Sequence, residues 1–187
     1  MKTKYIIIAF VVTALLQAFA PLKLVYDSEM TARYGTVYKF KTQPIDPSDP
    51  FRGKYVSLNF EEDHYETNEA GWTTGEDIYA VIGKDSMGYA TITKVVKAEP
   101  APGNNYIKVK TGMYYDGVLH IDLPFDQFYM EEGKAQEAED GYREYSLEDN
   151  AKPAYATVAV KDGAAVVTDV FVDGLPIREY VLRERKH

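Results

Sequence analysis

Residues 44–60 read PIDPSDPFRGKYVSLNF, a proline-rich loop followed by an alternating segment. Three prolines fix the backbone of the first half and remove amide donors, so this half can be neither helix nor central strand. After Gly53 polar and apolar side chains alternate, which places Val56, Leu58 and Phe60 on one face of a strand. Because this face is large and apolar, we expect it to be buried, with the strand near the centre of a sheet.

The alternating segment, RGKYVSLNF, resembles the motif of the GDYXXLXY family, a group of bacterial membrane-anchored proteins named after that string. Gly53, Tyr55, Leu58 and Phe60 stand at the motif positions, with phenylalanine in place of the last tyrosine. Lys54 stands where the family has aspartate. The resemblance implies an uncleaved N-terminal anchor and brings no established activity.

A second segment, FYMEEG at residues 128–133, resembles the family's YFVPEG phrase. Glu131 departs from the family's proline, and Glu139 matches a later glutamate of the family. Glu132 and Glu139 are therefore the best acidic candidates for acid–base chemistry. The alternative is that both belong to ordinary acidic turns, since the chain carries 29 aspartates and glutamates.

The composition argues against a nucleic-acid-binding protein and a disulfide-linked protein, and favours β-sheet. The 187 residues carry a net charge of −8, so the chain repels nucleic-acid phosphates and no nucleic-acid partner is expected. The sequence has no cysteine, which excludes a disulfide framework, a thiolate metal site and a cysteine nucleophile. Sixteen tyrosines favour half-buried β-sheet.

An uncharged apolar run begins at Tyr5, directly after Lys2 and Lys4. One interpretation is a signal peptide cut after Ala20, and the other is a transmembrane anchor that continues through Pro21. Proline directly after a cleavage site is a poor substrate for signal peptidase, so we favour the anchor. The positive-inside rule then puts the N-terminus in the cytoplasm. We therefore expect a single-pass protein of the bacterial cytoplasmic membrane whose remaining domain lies in the periplasm or outside.

The chain divides into two predicted parts. Residues 1–34 form the membrane anchor and an exit helix, which Gly35 ends as a C-cap. Residues 35–187 show about nine strand patterns, separated by turns that include Asp-Gly pairs, and almost no helix. This pattern predicts an all-β domain, an antiparallel sandwich or a small barrel-like sheet.

Two details of the strand assignment are open to test. We expect the polar residues 61–71 to form an exposed loop. The apolar runs at residues 158–160 and 164–167 predict strands that are covered on both faces.

The metal-binding candidates are few. His64 shares a face of an extended chain with Glu62, but a closed transition-metal site needs three or four ligands. Asp46 and Asp49 offer oxygen ligands, yet their spacing matches no calcium loop. We therefore predict no metal and no cofactor. His64 is expected in a solvated loop, His120 as a structural residue of a strand, and both aspartates as turn caps.

The favoured functional hypothesis is a non-catalytic accessory or binding module for an integral-membrane protein, as the resemblance to small partners of multi-span membrane proteins implies. A proline-stiffened loop loses little entropy on binding, which suits a contact surface. The candidate contact residues are Asp46, Asp49, Phe51, Arg52, Gly53 and Tyr55. The alternative is that the motif builds the fold.

The second functional hypothesis is an envelope hydrolase that uses acidic residues or a metal. It requires that Glu132, Glu139, His64 and Asp46 converge in one cleft. We lean towards a protein that is not an enzyme.

Overall fold

The computed structural model describes residues 2–43, 55–101, 103–129, 154–177 and 179. Within these ranges the chain forms one long helix, α1 (Lys2–Tyr34), and a series of short and medium strands. The strands are β1 (Thr36–Gln43), β2 (Tyr55–Ser57), β3 (Asn59–Phe60), β4 (His64–Glu66), β5 (Asp77–Lys84), β6 (Ala90–Val96), β7 (Tyr106–Tyr115), β8 (Val118–Asp122), β9 (Gln127–Tyr129), β10 (Ala154–Lys161), β11 (Ala164–Val172) and β12 (Leu175–Pro176).

The strands form two five-stranded antiparallel sheets and a small ribbon. The first sheet has the order β12-β11-β10-β1-β3, the second has the order β4-β8-β7-β5-β6, and β2 pairs with β9. The two edge strands of the second sheet approach each other, since the carboxylate of Glu62, just before β4, accepts a hydrogen bond from the amide of Ile92 in β6 at 3.1 Å. The prediction of a mostly β, antiparallel fold with one N-terminal apolar helix is confirmed.

The core lies between the two sheets. Alternation along β1 buries Tyr38 and Phe40, and alternation along β5 buries Ile78, Ala80 and Ile82. These side chains belong to one continuous apolar cluster that both sheets share. Burial of this surface is the main source of the stability of the domain.

Three Asp-Gly pairs form tight turns between antiparallel strands. Asp116, Asp162 and Asp173 have φ values of 50°, 47° and 54°, and the glycines that follow them also have positive φ. Two consecutive residues of positive φ match the twist of a two-residue hairpin, which is why Asp-Gly is favoured there. The hairpins β7–β8 and β10–β11 are therefore encoded locally, as the sequence predicts.

The position of the motif strand differs from the prediction. The alternating segment is divided into β2 and β3, which belong to the ribbon and to the edge of the first sheet. Leu58 and Phe60 are nevertheless buried, at 2% and 4% exposure. The expectation of burial was right for these two residues. The expectation of a central strand was wrong. β3 is the edge strand of the first sheet, and Leu58 and Phe60 are buried because they pack into the core between the two sheets.

Two other expectations are corrected. The segment 61–71 is not entirely loop, since β4 pairs with β8 in the second sheet. Of the two apolar runs, Val158, Ala159 and Val160 are buried on both faces. Ala164 is exposed and the following residues to Val167 are only half-buried, because β11 lies one strand nearer the sheet edge.

The end of α1 is fixed to the first sheet. The amide of Gly35 donates to the carbonyl of Thr31 at 2.9 Å, and Thr31 is buried. A Cβ atom on Gly35 would lie 2.5 Å from that carbonyl oxygen and 3.0 Å from the backbone N and O of Val160. Gly35 ends the helix as predicted, and its lack of a side chain also permits this close approach to β10.

We predict that Gly35→Ala destabilises the full-length protein by about 1–3 kcal/mol, because the neighbouring atoms are backbone and cannot turn away. Thermal or denaturant unfolding in mild detergent measures this change. Tyr34→Ala is the matched control, since Tyr34 is exposed and its loss should change stability by no more than about 0.5 kcal/mol. Equal stability of the two variants would show that the close contact does not exist.

Candidate functional site

The motif segment, residues 55–60, begins in the β2–β9 ribbon and ends in the first sheet as β3. β3 pairs with the end of β1, where Thr42 lies opposite Phe60. Between β2 and β3, the amide of Leu58 donates to the carbonyl of Asp126 at 2.8 Å. The backbone of the motif segment therefore bonds to the chain near β9 at Leu58 and to β1 at Phe60, and both contacts hold the segment in place.

The ribbon joins the motif segment to FYMEEG, the second segment that carries the family resemblance. Tyr55 lies opposite Tyr129 and Val56 lies opposite Phe128. Phe128 is buried in the common core. These two distant parts of the sequence therefore build one structural unit.

Three phenylalanines hold this unit to the first sheet. The ring centroids of Phe40 and Phe60 are 5.9 Å apart, and each lies 5.3 Å from the centroid of Phe125, all in edge-to-face geometry. Edge-to-face packing places the positive ring edge against the negative ring face and adds to the gain from burial. Phe60 of the motif is thus part of the core and has a fold-building role.

An open cleft of about 560 Å³ lies beside the motif segment. Its described lining consists of Gln43, Leu58, Asn59, Phe60, Asp63, Ile121, Asp122, Leu123 and Asp126. Its polar side chains are three carboxylates, which only accept hydrogen bonds when ionised, and the amides of Gln43 and Asn59, which both donate and accept. The three carboxylates attract cations and accept hydrogen bonds from amines and hydroxyl groups.

The cleft lies at the end of β1 that is remote from the helix. α1 ends just before Thr36, whereas Gln43 at the other end of β1 lines the cleft. An eight-residue strand is about 25 Å long, so the cleft and the helix junction are on opposite sides of the domain.

The histidine pair was not predicted. His64 in β4 lies opposite His120 in β8, and both side chains are exposed. The next pair along these strands is Asp63 and Ile121, and the Ile121 amide donates a hydrogen bond to the Asp63 carbonyl at 2.7 Å. Because hydrogen-bonded and non-hydrogen-bonded pairs alternate, the two histidines form the non-hydrogen-bonded type of pair, in which side chains are closer. Nδ1 of His64 lies 2.9 Å from the Asp63 carboxylate.

These histidines do not complete the metal site considered from the sequence. The Glu62 carboxylate is bonded to the Ile92 amide, as described above. Among the residues that the structure describes, no group of three histidine, aspartate or glutamate side chains is placed to hold a metal ion. The carboxylates of the cleft therefore do not converge on one ion.

The groups whose pKa values are perturbed lie elsewhere. Hydrogen bonds from Lys108 and Lys110 to the Asp77 carboxylate lower the pKa of Asp77, and the same contact raises the pKa of Lys108. The hydrogen bond to Glu99 raises the pKa of Tyr106 to about 12. None of these groups belongs to the described lining of the cleft, so they mark no acid–base pair there.

Most of the candidates named from the sequence lie outside the described residues. This holds for Asp46, Asp49, Phe51, Arg52 and Gly53 of the motif loop and for the acidic candidates Glu132 and Glu139. Of Tyr55, the structure describes the backbone pairing. Of the four residues that the hydrolase hypothesis needs in one cleft, Glu132, Glu139 and Asp46 lie outside the described residues, and His64 is not part of the described lining.

The carboxylates of the cleft were not predicted from the sequence. Asp63, Asp122 and Asp126 come from three places in the sequence, and only the register of β8 and the Leu58 contact bring them to one cleft. The available signal was the pair of aspartates that flanks the Leu-Pro-Phe segment after β8. That signal is weak in a chain with 29 acidic residues.

The comparison with protein families gives one match. A family model described as GDYXXLXY protein matches residues 17–170. This range begins inside α1 and ends in β11, so it includes the motif segment, the ribbon and the cleft. No curated protein and no solved structure matches the chain.

We predict that Phe60→Ala destabilises the domain by about 3–5 kcal/mol, because it leaves a cavity between Phe40 and Phe125. Phe60→Tyr is the matched control. It restores the tyrosine of the family motif beside the open cleft and should cost less than about 1.5 kcal/mol. Urea unfolding of both variants measures the difference. A Phe60→Ala variant as stable as Phe60→Tyr would rule out the fold-building role of the motif.

Proposed function

The chain belongs to the GDYXXLXY family, and on this premise we propose that it is a membrane-anchored accessory protein whose β domain lies outside the cytoplasmic membrane. In this proposal α1 crosses the membrane once, with its N-terminus in the cytoplasm. The β domain binds an integral-membrane protein and does not itself catalyse a reaction.

The single observation that carries the proposal is the exposed apolar surface of α1. The helix is long and apolar enough to cross a membrane, and none of its most apolar window is buried against the domain. Its exposed apolar residues include Tyr5, Ile6, Ile7, Ile8, Phe10, Val11, Val12, Leu15, Leu16, Phe19, Leu22, Leu24, Val25 and Tyr26. A continuous apolar surface of this size is unfavourable in water, and a bilayer would cover it.

The length and the ends of α1 fit a bilayer. The segment from Tyr5 to Tyr26 is about 32 Å long at 1.5 Å per residue, close to the hydrocarbon thickness of about 30 Å. Both ends carry a tyrosine, a residue favoured at the membrane surface. Lys23 forms an ion pair with Asp27, and its long side chain can reach the interface from within the last apolar turn.

A cleaved signal peptide has the same apolar signature, and the junction with the domain favours the anchor. The helix continues through Pro21 to Tyr34 without a break. Its last turns pack on β10 and β11, and Thr31 is buried there. Cleavage after Ala20 would leave a short helical remnant whose exposed Leu22, Leu24 and Val25 face water.

The surface offered to a partner's extracytoplasmic part is the motif segment with its cleft. Since the cleft lies at the end of β1 opposite to α1, this surface points away from the membrane. The motif loop, residues 44–54, starts directly after Gln43 of the cleft lining. This connection supports a binding role for the loop, alongside the fold-building role of Leu58 and Phe60.

The second candidate function, an envelope hydrolase, is favoured by the carboxylates in the same cleft. Asp63, Asp122 and Asp126 offer acidic groups near one another and near solvent. The candidate would need a general acid and a general base in reach of one bond. Their lack of convergence on an ion removes support for a metal-dependent version within the described part of the chain.

A labelling experiment tests the membrane placement. The chain has no cysteine, so Thr3→Cys and Met87→Cys each create a single reactive thiol. We expect a membrane-impermeant maleimide to label Met87→Cys in spheroplasts and to label Thr3→Cys only after lysis. Met87 is 68% exposed, so the label can reach it. The opposite pattern, or recovery of a shortened soluble chain, would contradict the proposal.

Affinity purification of the full-length protein in mild detergent tests the accessory role. We expect a stoichiometric integral-membrane protein to co-purify, and Arg52→Ala to weaken its binding while leaving the domain folded. Lys94→Ala, an exposed position of β6 that lines neither the cleft nor the groove beside α1, is the control for a general loss of charge. Release of a product from envelope polymers, abolished by Asp126→Asn, without any co-purifying protein would favour the hydrolase.

A further inference from the structure

We propose that Thr13 and Gln17 form a polar face of α1 that binds a transmembrane helix of the partner protein, within the bilayer and directly beneath the β domain. This inference rests on the proposed function, since it requires that α1 crosses the membrane. It goes further by assigning the contact to two residues and one side of the helix.

Gln17 is the group that needs a partner. In the helix from Tyr5 to Leu22 the only polar side chains besides Tyr5 are Thr13 and Gln17. Gln17 is exposed, and no described residue gives its amide a hydrogen bond. The amide carries two donors and an acceptor, and none of them finds water in hydrocarbon.

The depth of Gln17 prevents it from escaping to the interface. It lies more than about 13 Å from either end of the segment Tyr5–Tyr26, which is beyond the reach of its short side chain. Thr13, one turn earlier on the same face, can return its hydroxyl to a carbonyl of its own helix. The Gln17 amide therefore gains most from a polar group on a neighbouring helix.

The polar face points to the side of α1 on which the domain lies. Five helical turns take about 18 residues, so Thr13 and Gln17 are aligned with Thr31 and Gly35. Thr31 is buried against the sheet, and Gly35 abuts Val160 of β10. A helix bound at Gln17 would therefore lie under the domain.

This alignment favours a different protein over a second copy of the chain. In a symmetric pair of parallel helices joined by this face, each copy would direct its β domain towards the symmetry axis. The two domains would then compete for the same space above the helices. A partner helix that belongs to another protein meets no such conflict.

A groove on the same side supplies space for the partner at the membrane surface. It has a volume of about 320 Å³ and lies between the last turns of α1 and the β10–β11 turn. Its lining includes Asp27, Thr31, Lys161 and Asp162. The groove continues the polar face out of the bilayer, so one partner can contact both.

Site-specific photocrosslinking in membranes tests the proposal. A benzoylphenylalanine at Ala9, one turn before Thr13, reports on the polar face, and the same group at Leu15 reports on the opposite face. We expect a crosslink from position 9 to a transmembrane segment of a different protein, and none from position 15. Gln17→Leu should lower this crosslink about fivefold or more. Phe19→Leu, a control on the other face, should leave it unchanged.

Membrane retention is measured first, by alkaline extraction of each variant. Gln17→Leu makes α1 more apolar, so a loss of its crosslink cannot be ascribed to a loss of insertion. Extraction of the unaltered chain into the soluble fraction would overturn the proposed membrane anchor itself. A retained chain that crosslinks equally from both faces, is insensitive to Gln17→Leu, or crosslinks only to its own copy would overturn the polar-face inference alone.

Discussion

The contact between Gly35 and the backbone of Val160 is the constraint on which the arrangement of helix and domain depends. It permits only a hydrogen atom at position 35, so the end of α1 lies directly on β10. β10 is also the strand between β1 and β11 in the first sheet. The direction of the helix is therefore set by the strand that organises the sheet, and the domain is held close to any membrane that α1 crosses.

The motif residues act first through packing. Leu58 and Phe60 are buried where the chain passes from the ribbon to the first sheet, and Phe60 packs against Phe40 and Phe125. The cleft opens beside this passage and is lined in part by residues of β3, of β8 and of the segment after β8. The fold-building role of the motif and the proposed binding surface therefore belong to the same part of the structure, and neither role excludes the other.

The sequence predicts the parts of the fold that are encoded locally. The apolar helix, its end at Gly35, the Asp-Gly hairpins and the antiparallel class all follow from patterns a few residues long. The tyrosine rings also pack under lysines: Lys39 lies over Tyr155 of the neighbouring strand β10, whereas Lys41 of the first sheet lies over Tyr89, next to β6 of the second sheet. The helix, its end and the hairpins depend on neighbours in sequence, whereas the Lys41–Tyr89 contact depends on the packing of the two sheets.

The features that sequence patterns miss depend on register between distant strands. The division of the motif between two sheets, the His64–His120 pair and the cleft carboxylates each need the pairing of β2 with β9 or of β4 with β8. The alternation of residues 55–60 predicts which side chains are buried, but it carries no information on the partner strand. The candidate site could therefore be anticipated at Leu58 and Phe60 and not at Asp63, Asp122 or Asp126.

The most direct test of this account is the distance between helix and domain in a bilayer. Spin labels at Phe19→Cys and Met87→Cys, in full-length protein reconstituted into nanodiscs, give this distance by double electron–electron resonance. Both residues are exposed, and neither lies on the polar face of α1. A rigid junction at Gly35 predicts one narrow distance distribution. A broad distribution would show that the domain swings freely on its helix and would contradict the account.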